Sequence, residues 1–284
     1  MPDPEQKKKA EALRAMHTGT GAVLLPNVWD VASARIIEEA AFPAIATTSA
    51  GIAFAQGFPD GQKIPSAQMI TAVAQIASAV RVPVTVDVEA GYGQRPEDGA
   101  RTARNVIDSG AVGMNFEDAT GDADHPLTEL TLQLERILAI RETAEELRVP
   151  LVLNARTDVY LLQIGEPGRR YDEAVRRLSA FRDAGADCVF VPGVRDAETI
   201  GRIVADLKCP VNILGVLGSP SVFELVKLGV KRISLGSGPM RASLGFLRKL
   251  AEEVRTSGTY ELMEGPPSHA EMNKLMSGNR MLKK

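Results

Sequence analysis

Two acidic residues stand directly after a strongly apolar run in the first half of the chain. Residues 82–86 (Val-Pro-Val-Thr-Val) are rich in β-branched side chains and lack polar alternation, which predicts a strand buried on both faces. Asp87 and Glu89 follow two residues apart, so both are expected on the same side of an extended chain. Two carboxylates that close together repel each other unless a cation lies between them. The segment therefore predicts a metal site.

Polar groups also follow the neighbouring apolar runs, each directly after a predicted strand. They are Thr47 to Gly51, Asn115 to Asp118, Asn154 to Asp158, Asn212, and Gly236 to Arg241. In a closed barrel of parallel strands such residues gather at one rim, where catalytic groups lie.

Glu117 adds a third acid to Asp87 and Glu89, with no His or Cys nearby in sequence. Such an all-oxygen set favours Mg²⁺, or Mn²⁺, over zinc. Arg156 offers a planar fork that matches the carboxylate of an anionic substrate. The structural alternative is an ion-pair network between these acids and Arg156 across the strand ends.

Regular alternation of strands and helices runs through the sequence. Short apolar runs occupy 22–25, 44–48, 82–87, 112–117, 150–155, 187–191, 210–214 and 231–235. Amphipathic stretches between them cover 65–80, 96–109, 129–147, 171–184, 196–207 and 219–228. This pattern predicts an α/β fold, a (β/α)8 TIM barrel, because a doubly wound sheet would carry a glycine-rich fingerprint after its first strand.

The chain is expected to form a single domain of residues 1–284. The barrel core covers about 20–256, and residues 4–17 form an extra helix at one end of the barrel. A helical tail at 257–284, broken near Gly265-Pro266-Pro267, is expected to pack on its own barrel or on a neighbouring subunit.

Composition excludes several function classes. A net charge of -3 and a pI near 5.8 provide no basic surface for nucleic acid. No apolar segment reaches the roughly 18 residues needed to span a bilayer, and the N-terminus lacks the apolar core of a secretion signal. The sequence thus indicates a cytoplasmic protein without nucleic-acid or membrane partners.

The segment Asp87-Val-Glu89-Ala-Gly91-Tyr92-Gly93 resembles the strand-three motif of the isocitrate lyase/phosphoenolpyruvate mutase superfamily. The resemblance extends over roughly residues 15 to 250. Further matching motifs are Thr48 to Ala53, Gly57 to Asp60, Phe116 to Asp118, Ala155 to Asp158, and Met240 to Ala242.

The resemblance implies a Mg²⁺-dependent enzyme that forms an enolate from a small oxo-, hydroxy- or phosphono-acid, and assembles as a homo-oligomer, a dimer or a tetramer that exchanges a C-terminal helix. Asp87 would bind the metal directly, and Glu89 and Glu117 would hold metal-bound waters. The implied catalytic residues are Arg156, Asp60 and Glu117. The resemblance implies that Ser49, Gly51, Arg156 and Arg241 bind the substrate, and Asn212 is expected to join them from its place on the seventh predicted strand.

The loop after the fourth strand departs from the family pattern. Isocitrate and methylisocitrate lyases carry Lys-[Lys/Arg]-Cys-Gly-His there, whereas this chain has Gly121-Asp-Ala-Asp-His125. Neither of those two activities is expected. The leading reading is a lyase that breaks a C–C bond of a small oxo- or hydroxy-acid, or decarboxylates it. The other readings are P–C bond chemistry and a catalytically inactive, carboxylate-binding barrel.

Overall fold

The computed structural model describes residues 3–277. Within that range nine parallel strands form one sheet. They are β1 (Val23–Leu25), β2 (Asn27–Val28), β3 (Ile45–Thr47), β4 (Val84–Asp87), β5 (Gly113–Glu117), β6 (Val152–Arg156), β7 (Cys188–Phe190), β8 (Val211–Leu214) and β9 (Arg232–Ser234). The strand order is β1-β9-β8-β7-β6-β5-β4-β3-β2. The first segment, β1, therefore pairs with the last, β9, and the two ends of the order, β1 and β2, are consecutive in the chain.

The same residues contain eleven α-helices, most of which alternate with the strands. They are α1 (Pro4–Thr18), α2 (Val31–Glu39), α3 (Ser49–Ala55), α4 (Ser66–Ala79), α5 (Pro96–Asp108), α6 (Leu130–Glu146), α7 (Arg170–Asp183), α8 (Ala197–Leu207), α9 (Val222–Lys227), α10 (Gly238–Thr256) and α11 (His269–Ser277). The predicted (β/α)8 barrel is confirmed, and the predicted helices lie within a few residues of these bounds.

Pro26 explains why nine segments are found where eight strands were predicted. β1 pairs with β9 and β2 pairs with β3, so the two segments are one barrel strand interrupted at Pro26, which has no N–H to donate. Asn27 joins the two sides of this junction. Its Nδ2 donates to the carbonyl of Thr47 at 2.7 Å, and its Oδ1 accepts from the backbone N–H groups of Leu235 and Gly236.

The N-terminal helix α1 closes the end of the barrel opposite the predicted rim. Ala10, Leu13 and His17 are buried on its inner face. Leu13 packs closely against β5, since a Cβ placed on Gly113 would lie 3.0 Å from its side chain. Helix α1 thus covers this end of the barrel.

The last barrel helix packs little of its length on its own barrel. Apart from Met240, the residues of α10 are exposed or half-buried, and Leu247 on its apolar stripe is 56% exposed. The tail after α10 packs against the barrel of its own chain. There Arg35 of α2 donates to the carbonyls of Leu275 and Met276 at the end of α11. Residues 278–284 of the predicted tail lie outside the described residues. Among residues 3–277, no helix is long and apolar enough to cross a bilayer.

Leu13→Ala is expected to lower the free energy of unfolding by about 3 kcal/mol, because it leaves a cavity between α1 and β5. Urea unfolding followed by circular dichroism measures the change. Glu11→Ala, at an exposed position of the same helix, is the control and should change stability by less than about 0.5 kcal/mol. Equal effects of the two substitutions would contradict the sealing role of Leu13.

Candidate active site at the strand ends

Asp87, the last residue of β4, is held by hydrogen bonds from the start of α3. Its Oδ2 accepts from Ser49 Oγ at 2.9 Å and from the Ser49 backbone N–H at 3.4 Å. Its own N–H donates to Thr47 Oγ1 at 3.0 Å. Thr48 caps α3 and thereby places Ser49 at the helix start, facing the neighbouring strand. Ser49 therefore orients the predicted metal ligand.

Glu89 does not continue the strand. Its φ of 52° lies in the left-handed region, so the prediction that Asp87 and Glu89 share one side of an extended chain is wrong. The chain turns instead and still brings the two carboxylates near each other, as the electrostatic effect of Asp87 on Glu89 indicates. Glu89 Oε2 accepts from the Gln62 backbone N–H at 2.7 Å. Its Oε1 is buried and has no hydrogen-bond partner among residues 3–277.

The turn after Glu89 requires a glycine. Gly91 has a φ of 81°, and a Cβ at this position would lie 2.6 Å from the Phe116 ring. The turn is closed by the Tyr92 backbone N–H, which donates to Gln62 Oε1 at 2.6 Å. Gln62 thus binds both Glu89 and the turn that positions it.

Arg156 ends β6 directly opposite Glu117, which ends β5. Its Nη1 pairs with Glu117 Oε2 at 2.8 Å, and its Nε and Nη2 donate to the two oxygens of Asp158 at 2.5 and 2.8 Å. Ion pairs across the strand ends, the structural alternative of the sequence analysis, are therefore present. They use three of the five guanidinium N–H groups and leave two for another ligand.

Burial and mutual repulsion shift Glu89 and Glu117 towards their neutral forms. Desolvation, helped by the charges of Asp87 and Asp60, raises the pKa of Glu89 to about 7. Desolvation also raises the pKa of Glu117 well above its usual value, although Arg156 opposes the shift. Burial alone would lower the pKa of Arg156, but Glu117 and Asp158 raise it overall. The guanidinium therefore stays charged while the acids compete for protons.

The residues present fit a hard divalent cation. Mg²⁺ commonly takes only one or two protein carboxylates and keeps several waters. Within residues 3–277, no group of three His, Cys, Asp or Glu side chains is placed to enclose a metal by itself. Asp87 and the unpartnered oxygen of Glu89 can provide the one or two carboxylates that Mg²⁺ takes. Glu117 lies close enough for the charges of both to affect its pKa. The roles of the three acids as metal ligands stay predictions.

Two other predicted residues lie near this group in different ways. Asp60 is on an exposed loop, where partial desolvation and then the charge of Asp87 raise its pKa. Gly51 is buried, and its N–H donates to Thr48 Oγ1 at 3.3 Å. A Cβ at Gly51 would lie 2.5 Å from Thr48 and 3.0 Å from Trp29, so close packing explains this glycine.

The remaining two predicted substrate contacts are not brought into the acid group. Asn212 is fully buried in the barrel interior, where its Nδ2 donates to Ser234 Oγ at 3.2 Å. Arg241 is exposed in the first turn of α10 and lines a cleft together with Arg195. Among residues 3–277, no ion pair joins Arg241 to the acids. Their contacts with substrate stay predictions.

The structure adds two residues that sequence reasoning did not include in the site. Asp158 accepts hydrogen bonds from Nε and Nη2 of Arg156, and the backbone N–H of Gln62 donates to Glu89. The signal for Asp158 was its position two residues after Arg156 in the same motif. Gln62 follows Asp60 and Gly61 in a loop, and no periodicity indicates that its side chain turns inwards.

A cavity of about 680 Å³ lies next to Gln62, the residue whose backbone N–H holds Glu89, although none of the three acids lines it. It is lined by Gln62 and Tyr92 on one side and by the loop after β5 on the other. An antiparallel bridge between Ala119 and Leu127 closes that loop at its base, and His125 near its tip faces the cavity. The loop that departs from the family pattern therefore forms one wall of this cavity.

Comparisons with known proteins agree with this architecture. A sequence model of the phosphoenolpyruvate phosphomutase family matches residues 13–255. An uncharacterized protein of Mycobacterium tuberculosis (strain ATCC 25618 / H37Rv) is 35% identical over 80% of this chain and 82% of its own. An oxaloacetate decarboxylase of Rhodopseudomonas palustris (strain TIE-1) is 28% identical over 93% of this chain and 91% of its own.

Solved structures give the same result. A Burkholderia cenocepacia J2315 protein provisionally described as a lyase/mutase has 39% identity and a TM-score of 0.92, with 98% of each chain covered. Oxaloacetate acetylhydrolase, bound to 3,3-difluorooxalacetate, has 27% identity and a TM-score of 0.83, covering 95% of this chain and 93% of its own. 2,3-Dimethylmalate lyase has 26% identity and a TM-score of 0.83, with 95% of each chain covered. The family match and these neighbours show that the chain belongs to the phosphoenolpyruvate mutase/isocitrate lyase superfamily of enzymes.

Proposed function

We propose that this protein is a Mg²⁺-dependent lyase that cleaves a C–C bond of a small 2-oxo or 2-hydroxy carboxylic acid, or decarboxylates it. The observation that carries the proposal is the pairing of Arg156 with Glu117 at the same rim as Asp87 and Glu89, where Glu89 has a buried, unpartnered oxygen. A substrate carboxylate and an enolate oxygen are the negative groups that such a site can bind. Mn²⁺ could replace Mg²⁺ at the same oxygen ligands.

In this function each residue of the site would have a separate role. Asp87 would bind the cation directly, and Glu89 and Glu117 would hold its waters. When bound, the cation supplies electrostatic stabilisation of a developing oxyanion. The two free N–H groups of Arg156 would bind the same oxyanion, and Asp158 and Glu117 keep the fork fixed, so little reorganisation is needed.

Breaking a C–C bond next to a carbonyl leaves an electron pair that is delocalised onto the carbonyl oxygen, and this is the charge that the site would stabilise. Ser49 would contribute to carboxylate binding at the start of α3. Asp60 would support the cation from the adjoining loop. The cavity between Gln62 and the loop after β5 would accept the part of the substrate that leaves.

Oxaloacetate-like substrates are the first choice. The oxaloacetate decarboxylase and the oxaloacetate acetylhydrolase are relatives along nearly the whole chain, and 2,3-dimethylmalate lyase is similar over the same length. The alternative is P–C bond chemistry, because the matching family model is described as a phosphomutase. A carboxylate-binding barrel without catalysis is the non-enzymatic alternative.

Purified protein assayed with oxaloacetate, 2-hydroxy dicarboxylates and phosphonopyruvate should release a C–C cleavage product only when Mg²⁺ is present. Asp87→Ala should lower turnover at least about a hundredfold, because it removes the direct metal ligand. Circular dichroism should show an intact fold for this variant. Phosphate release from phosphonopyruvate would favour the P–C alternative, and unfolding of Asp87→Ala would favour a structural ion-pair role.

Mg²⁺ affinity is expected to rise with pH up to about 7 and then level off, because the cation must displace the proton that Glu89 holds. A raised carboxyl pKa favours the protonated folded state, so the metal-free protein should lose stability as pH rises through about 7. Isothermal titration calorimetry at pH values of about 5.5 to 8.5 measures the first effect, and thermal melts measure the second. In Glu89→Gln both pH dependences should weaken; an unchanged pH profile would exclude Glu89 as the titrating group.

We further propose that a second copy of this chain covers the apolar stripe of α10, in the exchanged-helix arrangement expected from the family. Leu244, Leu247 and Val254 lie along that stripe and are exposed, and Phe223 of α9 is 81% exposed on the barrel. Each copy thus carries both an uncovered helix and an uncovered surface. Reciprocal exchange would bury both with one symmetric contact.

Leu247→Asp should therefore shift the protein from an oligomer to a monomer, because it places a charge in the buried stripe. Size-exclusion chromatography with light scattering gives the mass. Lys249→Asp, at an exposed position on the opposite side of α10, is the matched control and should keep the oligomer. A monomeric native protein would contradict the proposal.

A further inference from the structure

Arg232 is a positive charge in the interior of the barrel that forms no ion pair with any carboxylate of residues 3–277. It is the first residue of β9 and has no exposed surface. Its Nη2 donates to Asn115 Oδ1 at 3.0 Å and, more weakly, to Thr85 Oγ1 at 3.4 Å. Among residues 3–277, its Nε and Nη1 have no acceptor, and it forms no ion pair.

Such an arrangement is costly unless it is compensated. Removing a guanidinium from water without a counter-charge costs several kcal/mol. Desolvation accordingly lowers the pKa of Arg232 to about 10, which leaves it charged at neutral pH, and the electrostatic effects of Cys188 and Asp87 oppose this shift. Asp87 is the carboxylate of the pair, so the charge that compensates Arg232 belongs to the candidate metal site.

The two residues that Arg232 contacts lie directly beneath the acids. Thr85 precedes Asp87 by two residues on β4, and Asn115 precedes Glu117 by two residues on β5. Residues two apart on a strand face the same side, so the guanidinium lies about one layer of side chains below the acids.

Asn115 connects this lower layer with a third strand. Its Oδ1 accepts from Arg232 and also from Asn154 Nδ2 at 2.8 Å. Arg232 therefore contacts β4 and β5 directly and β6, which carries Arg156, through one shared acceptor.

We propose that Arg232 is a positioning residue of the candidate metal site, and that its charge beneath Asp87 weakens the binding of a divalent cation while it compensates the acids in the cation's absence. The inference rests on the metal site of the proposed function. It concerns the affinity of that site and not the identity of the substrate.

A purely structural role predicts the opposite effect on the metal. If Arg232 only connects β4 and β5, its removal loosens the strands and weakens cation binding. If its charge matters, removal strengthens cation binding, because a unit positive charge no longer repels a doubly charged ion. The sign of the change therefore distinguishes the two roles.

The test is Mg²⁺ titration calorimetry on Arg232→Met, Arg232→Lys and native protein. The Met variant should bind Mg²⁺ at least about fourfold more tightly, which is the factor for a unit and a doubly charged ion across roughly 10 Å of water, and a medium of lower dielectric constant makes it larger. Methionine should be tolerated, since replacing a buried charge by an apolar side chain of similar size is often neutral or stabilising. The Lys variant keeps the charge and should bind within about twofold of native protein.

Arg141→Met is the matched control. Arg141 pairs with Asp187 at 3.0 Å and donates to the carbonyl of Leu151, at the opposite end of the barrel. This substitution removes one positive charge far from the acids and should leave the Mg²⁺ affinity unchanged. If Arg232→Met does not fold, Arg232→Gln replaces it with the same expected result, because an amide can still donate to Asn115.

Equal or weaker Mg²⁺ binding by a folded, neutral Arg232 variant would overturn the inference while the proposed function stands. The same holds if the Lys variant binds as tightly as the Met variant. Absence of Mg²⁺ binding by the native protein would overturn the metal site itself, and the inference with it.

Discussion

The repulsion among carboxylates at one rim of a closed barrel is the constraint on which the rest of this structure depends. Parallel strands that close on themselves bring all their carboxyl ends together, so Asp87, Glu89 and Glu117 meet although they come from different parts of the chain. Each of these acids loses part of its hydration there and is repelled by the charges of the other two. The surrounding residues are best understood by how they offset this cost.

The compensation differs for each acid, and the difference prepares the site for a ligand. Glu117 is paired with Arg156, whereas Asp87 and Glu89 are held by neutral donors, Ser49 and Gln62. Neutral donors orient a carboxylate without cancelling its charge. Of these three acids, the two that form no ion pair within residues 3–277 are therefore Asp87 and Glu89, while Arg156 pairs with Glu117 and Asp158.

Much of the fold followed from the sequence because burial and periodicity are local signals. The apolar, β-branched runs marked the strands, and the amphipathic stretches between them marked the helices. The position of the rim residues followed from the topology. The features that could not be predicted depend on a left-handed backbone conformation or on the layer of the barrel interior that a side chain occupies. Glu89 adopts a left-handed conformation that a two-residue spacing does not reveal. Asn212 ends in an interior layer because alternate residues of a strand occupy successive layers, and sequence position does not give the layer.

The division between strands and loop also explains why the general chemistry is easier to infer than the substrate. The groups suited to stabilise an enolate stand on strand ends or on the helix start next to them, and the packed barrel fixes their positions. The loop after β5 stands apart from these groups, closed at its base by the Ala119 bridge and presenting His125 to the cavity. A change in that loop can alter which proton reaches the enolate, or which group leaves, without moving any charge that stabilises it. Under the proposed function, members of one superfamily would share the first step and differ in the outcome, and the loop sequence of this chain would decide its own outcome.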